Sequence, residues 1–122
     1  MAATNQNLIV EKTEQFALQV ISLYSLLQEQ REFVLSRQLL RSSTSIGANV
    51  SEAIAAQSTS DFIHKLSVAL KEAHESKYWL RLLQKSQLVR HDYQPYYNEC
   101  TSIIRILSKI IVTTKSSHKD HL

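Results

Sequence analysis

Glycine, proline and cysteine occur once each in this chain of 122 residues. Average usage is about 7% Gly and 5% Pro, so the many tight turns of a β-sandwich or barrel cannot be built from this composition. With Cys100 alone, no intrachain disulfide can form, and a reducing cytoplasm is the expected home. Long apolar runs are also missing. The longest, Ile103 to Val112, is broken by Arg105, Ser108 and Lys109 and falls short of the ~20 residues needed to cross a bilayer. Met1 to Asn7 is polar, without the basic and apolar regions of a signal peptide. No membrane association is expected.

What the chain does have is helical periodicity. Four helices are predicted, at 6–29, 33–57, 60–87 and 92–115, with 116–122 as a short polar tail. The first places Ile9, Thr13, Phe16, Val20, Leu23 and Leu27 at alternating steps of four and three. The fourth repeats this with Tyr93, Tyr97, Cys100, Ile104, Leu107 and Ile111. Such alternation is the seam of helices that cross at shallow angles. Helix 2 keeps Leu35, Leu39, Ile46, Val50 and Ala53 in phase through Gly47, whose ~1 kcal/mol propensity cost suggests a packing reason. Ser58, Thr59 and Ser60 offer caps for helix 3, with Asp61 in its first turn, and Asp92 can cap helix 4 ahead of Pro95. Short links between long helices favour antiparallel neighbours. One all-α domain over 1–122, an up-down-up-down four-helix bundle, is the expected fold.

Beside these seams lie polar and charged lines. Ser45, Asn49 and Glu52 run along helix 2 at i, i+4 and i+7, either as a polar network that fixes register or as a contact for a partner or RNA. Helix 3 carries a core face of Phe62, Leu66, Ala69, Ala73, Leu80 and Leu83. On roughly its other side run Val68, Glu72, Glu75, Trp79 and Leu82. Trp79 could wrap over a neighbouring helix, but a stripe of this kind also suits contact between protomers, and a homo-oligomer is expected.

The formal charge is +3, and residues 61–91 hold most of the excess. His74, Lys77, Arg81 and Lys85, with Lys71 at the edge, form a basic ridge between the stripes of helix 3. Arg37 and Arg41 pair on helix 2, and Arg105 and Lys109 on helix 4. These are either solvated faces or a surface for nucleic-acid phosphates, with Arg37, Arg41, Lys77, Arg81 and Lys85 as the candidate contacts.

Catalysis finds no signature. Di-metal bundles use Glu-x-x-His pairs, and the nearest match is a single Asp61-Phe62-Ile63-His64 at a helix start. Glu72, His74 and Glu75 are too close in sequence to share one face, and His118 and His121 lie in the tail. Ser45 has no triad partner nearby, and no Gly-rich loop can cradle a phosphate. Cys100 falls on an apolar seam, where a lone cysteine acts as a small hydrophobe. No catalytic residue, metal or cofactor is expected.

The run Gln38-Leu39-Leu40-Arg41-Ser42-Ser43-Thr44-Ser45-Ile46-Gly47-Ala48-Asn49-Val50-Ser51-Glu52-Ala53 resembles the helix-2 signature of the 23S rRNA intervening-sequence proteins, the bacterial four-helix-bundle proteins. A second stretch resembles helix 3 of that family: Phe62, Leu66-Ser67-Val68-Ala69, Glu72-Ala73, Glu75, Tyr78-Trp79-Leu80 and Leu83. Ala53-Ile54 departs from the family's glycine after the Glu, and Leu70-Lys71 from its Gly-Ser pair. The resemblance implies a bundle assembled into a ring, commonly a pentamer. It also implies a tie to RNA, since some members are encoded within rRNA genes. A related branch, the accessory variability protein of diversity-generating retroelements, binds nucleic acid and a reverse transcriptase. The expected function is therefore non-enzymatic nucleic-acid binding, to structured RNA, by an oligomer. The alternative is a scaffold or accessory subunit for an RNA-handling enzyme.

Overall fold

The computed structural model describes the backbone of residues 2–120 and the side chains of 6–118. Met1, His121 and Leu122 lie outside the described residues, and with them the expectation for His121. Four helices, α1 (Ala2–Glu29), α2 (Leu35–Ile54), α3 (Thr59–Ser86) and α4 (Gln94–Asp120), account for most of the chain. Each packs on its neighbours in sequence, and α1 packs on α4 to close the square; among the described residues the backbones of diagonal pairs make no close approach.

Cross-helix contacts fix the direction of each pair of helices consecutive in sequence. Lys65 meets Glu52 at 3.0 Å, whereas Arg41 meets Glu72 at 3.3 Å, so α2 and α3 run antiparallel. Cys100 faces Ala73 and Lys77 faces Tyr97 between α3 and α4. Gln28 bonds Ser36 near one end of the α1–α2 pair, and Thr13 lies against Gly47 further along. The result is an up-down-up-down bundle with connections at 30–34, 55–58 and 87–93.

The predicted seam of α1 is buried at every position from Ile9 to Leu27. On α4 the buried row is Cys100, Ile103, Leu107, Ile110 and Ile111. Tyr97 and Ile104 of the expected seam are only half-buried and pack against the edge of this core, Tyr97 beside Lys77 of α3. Tyr93 is buried just ahead of α4, its hydroxyl donating to the Val89 carbonyl at 2.8 Å.

Helix ends follow local chemistry. Ser58 accepts the Asp61 amide at 3.0 Å, and Asp92 accepts the Gln94 amide at 3.1 Å, as the sequence suggested. The start of α2 is set differently. Glu32 folds back so that its carboxylate accepts the amides of Val34 and Leu35 at 3.0 Å and of Ser36 at 2.6 Å. This cap moves the start from the expected 33 to 35. At its far end α4 continues to Asp120 rather than stopping at 115.

Gly47 does not hold space for a neighbour. A Cβ there would meet Thr13 at 3.5–3.6 Å, which is ordinary contact. Gly47→Ala should therefore stabilise the bundle by about 0.5–1 kcal/mol through helix propensity, a rise in Tm of about 3 °C. A lower Tm would show that the backbone at Gly47 needs its freedom.

Candidate functional site

The α2–α3 seam is held together by small polar groups: Ser42 and Ser43 of the signature run on α2, and Ser76 on α3, which no sequence pattern singled out. Ser42 and Ser76 hydroxyls lie 2.8 Å apart, and Ser43 donates to Ser76 at 3.2 Å. All are fully buried, and Ser76 donates onward to the Glu72 carbonyl at 3.0 Å. Short side chains let the two helices approach closely. On the outer side of this seam, Arg41 pairs with both Glu72 and Glu75, and the Trp79 indole N–H donates to Glu75 at 3.0 Å.

This arrangement revises two expectations together. Antiparallel register places Arg41, an expected phosphate contact, opposite Glu72 and Glu75, and it pairs with both. Val68, Glu72, Glu75, Trp79 and Leu82 do not form a face turned away from the bundle. They are half-buried on the flank of α3 that adjoins α2.

Trp79 and Arg41 hold the Glu75 carboxyl below the usual carboxylate range, with the indole hydrogen bond the larger cause. A depressed carboxyl stabilises the fold fully above its unfolded pKa of about 4.3, and the contribution is lost as pH falls through the folded value. Moving from pH 7 to pH 3 should thus lower the urea midpoint more for the native chain than for Glu75→Gln. Trp79 emission should follow the acid transition in the native chain alone. Equal losses would remove Glu75 from the acid response.

The polar line on α2 is not a side-chain network. Ser45 donates to the Arg41 carbonyl and Asn49 to the Ser45 carbonyl, each at 2.8 Å. Glu52, at the exposed end, pairs with Lys65 at 3.0 Å. Helical back-bonding satisfies each group before it can reach the next.

The basic ridge of α3 also divides. Lys77 is half-buried, with its ammonium 4.9 Å from the Tyr97 ring centre on the α4 side. Arg81 and Lys85 are exposed near the end of α3, and Arg37 is exposed in the first turn of α2. Those positions belong to the same end of the bundle, where the connecting segments add exposed Arg31 and Arg90. Glu29 and Asp92 are the exposed acidic groups there, while Glu32 is buried in its cap. The cationic surface is thus the end of the bundle rather than a helix face.

The described residues hold no cluster of three or more His, Cys, Asp or Glu able to bind a metal ion. A surface cavity of about 550 Å³ lies at the opposite end, and its lining among the described residues, Gln6, Gln57, Ser58, Thr59 and Thr113 with others, includes no titratable side chain. Cys100 donates to the Ala73 carbonyl at 3.1 Å, and burial pushes its thiol up to about 12, so it stays protonated at neutral pH. No helix among the described residues is long and apolar enough to cross a membrane.

Residues 5–109 match the sequence model described as 23S rRNA-intervening sequence protein. The chain belongs to that family. The intervening-sequence assignment is reinforced by a solved structure, that of a protein of unknown function from the S23 ribosomal protein family of Bacteroides thetaiotaomicron. The two chains are 47% identical, with a TM-score of 0.84, over 88% of this chain and 97% of the other. No curated protein matches. For this intervening-sequence protein the match covers the whole α2–α3 seam, so the serine contacts and the Arg41 cluster lie inside the family region.

Proposed function

We propose that this protein is a non-enzymatic, cytoplasmic nucleic-acid-binding protein that takes structured RNA on the cationic end of its bundle and works as a homo-oligomer. The carrying observation is the convergence of exposed Arg37, Arg81 and Lys85 with Arg31 and Arg90 at one end. An Arg-rich surface suits bidentate contact with phosphate. Residues expected to bind phosphate but engaged elsewhere, Arg41 and Lys77, have no part in this reading. The family's description names the 23S rRNA intervening sequence, and on that name rests the choice of RNA over DNA.

Oligomer contact is assigned to the α3 flank. Val68, Trp79 and Leu82 are apolar and, although they flank the α2–α3 seam, each keeps part of its surface in solvent. A ring, a pentamer by family resemblance, would multiply a modest cationic end by the number of protomers. This flank also supports the second reading, a scaffold for an RNA-handling enzyme such as a reverse transcriptase.

The test is a salt series with nuclease-treated protein and a structured rRNA fragment. Affinity should fall steeply with salt, and Arg37→Glu, Arg81→Glu and Lys85→Glu together should weaken binding at least tenfold and flatten the slope by ~2–3. Unchanged affinity would move the site elsewhere; no binding at low salt would leave the scaffold reading. Light scattering at several concentrations checks the assembly.

A further inference from the structure

At the cationic end, three apolar side chains stand in solvent: Phe33 (48% exposed), Val34 (69%) and Leu88 (66%). Their exposure is built in. Arg31 takes a left-handed backbone, φ 65°, and its amide bonds the Gln28 carbonyl at 3.0 Å. The Glu32 amide bonds the Leu27 carbonyl at 2.9 Å, and the Gln28 side chain donates to the Glu32 carbonyl at 3.2 Å. With the Glu32 carboxylate turned inward onto the amides of Val34, Leu35 and Ser36, Phe33 and Val34 are carried outward. In the connection at 87–93 Gln87 is also left-handed, φ 59°, and Val89 is drawn into the core, which leaves Leu88 outside. Both segments belong to one end of the bundle, where α1 and α3 finish and α2 and α4 begin.

A folding rationale for these side chains is missing, whereas a binding rationale is available. Ordered, exposed apolar groups among arginines fit a ligand with both a flat apolar face and negative charge. An identical end of a second copy would bring like charges together.

We propose that this end receives an unpaired nucleotide, its base stacked on Phe33 and its phosphates held by Arg31, Arg37 and Arg90. This rests on the nucleic-acid reading and names its substrate class: RNA with accessible, unstacked bases, not continuous duplex. Stacking on aromatic side chains is how single-stranded segments are held without sequence readout. Val34 and Leu88 shield the stacked base from water.

The experiment uses the full chain and three probes: an RNA hairpin with an unpaired loop, the same hairpin with abasic loop positions, and a blunt duplex of equal length. Phe33→Ala and the abasic loop should each weaken hairpin binding by about 5- to 100-fold. Combined, they should weaken it no further, because both remove one contact. Phe33→Trp should retain affinity, Phe33→Leu should not, and duplex binding should be weak and indifferent to all of them. Since Phe33 is exposed, Tm should stay unchanged throughout.

Hairpin affinity that survives Phe33→Ala, but falls on the triple charge reversal, overturns the stacking site and leaves the nucleic-acid reading intact. Equal performance of leucine and phenylalanine, with phosphatidylserine vesicles bound in place of RNA, overturns it in favour of a lipid surface. No binding to any RNA at low salt overturns both.

Discussion

Ser76→Leu is expected to destabilise the bundle by about 3 kcal/mol, a large share of the 5–15 kcal/mol by which a domain of this size is stable. Two costs combine. The added carbons enter a seam where the Ser42 and Ser76 hydroxyls already lie 2.8 Å apart, so α2 and α3 must separate. The hydroxyl that serves Ser42 and Ser43 also disappears. Ser76→Ala separates the contributions: it introduces no bulk, and Ser42 keeps its bond to the Leu39 carbonyl at 3.2 Å. Ser43 loses its partner in that variant, which should therefore cost about 1–2 kcal/mol. Urea midpoints at unchanged m-value measure both. If leucine is tolerated as well as alanine, the close approach of α2 and α3 is not what these serines provide.

Glu32→Ala should cost about 2–3 kcal/mol, more than an ordinary cap. Its carboxylate serves three consecutive amides, at 3.0, 3.0 and 2.6 Å, and places a negative charge at the positive end of α2. Glu32→Gln keeps an acceptor oxygen without the charge and should lie about midway. Denaturant midpoints give the size of the loss. Hydrogen exchange gives its location, since the amides of 34–36 should lose protection first while the α3–α4 amides keep theirs. Uniform loss of protection would mean that Glu32 supports the whole bundle rather than one helix start.

Much of the fold was legible because one physical rule, burial of an apolar stripe, governs it. The α1 seam was readable since each of its positions is apolar or a threonine that back-bonds to its own helix. Ser58 and Asp92 were readable because a cap acts two or three residues away. Ser76 was missed for being polar, although the step of seven from Ala73 to Leu80 on the core face left a position to fill. Glu32 escaped notice because it caps from within the turn, reaching forward over α2 rather than standing at its first residue.

The candidate site was harder to read, for a different reason. Spacing along one helix says which residues share a face, but not which neighbour that face meets. Arg41 and the line Val68, Glu72, Glu75, Trp79 and Leu82 were thus read as separate surfaces, one for phosphate and one for a protomer. The α2–α3 register joins them into one ion-pair cluster. Similarly, Arg37 on α2 and Lys85 on α3 look unrelated along the chain and become neighbours in role only when α2 begins where α3 ends.

Cys100 gives the molecule an internal clock. Its sulfur lies on the α3 carbonyl of Ala73, out of reach of any reagent while α3 and α4 remain closed. Alkylation under native conditions must wait for those helices to part. Its rate therefore counts how often this edge of the square opens, and any ligand that clamps the bundle slows the count without touching the thiol.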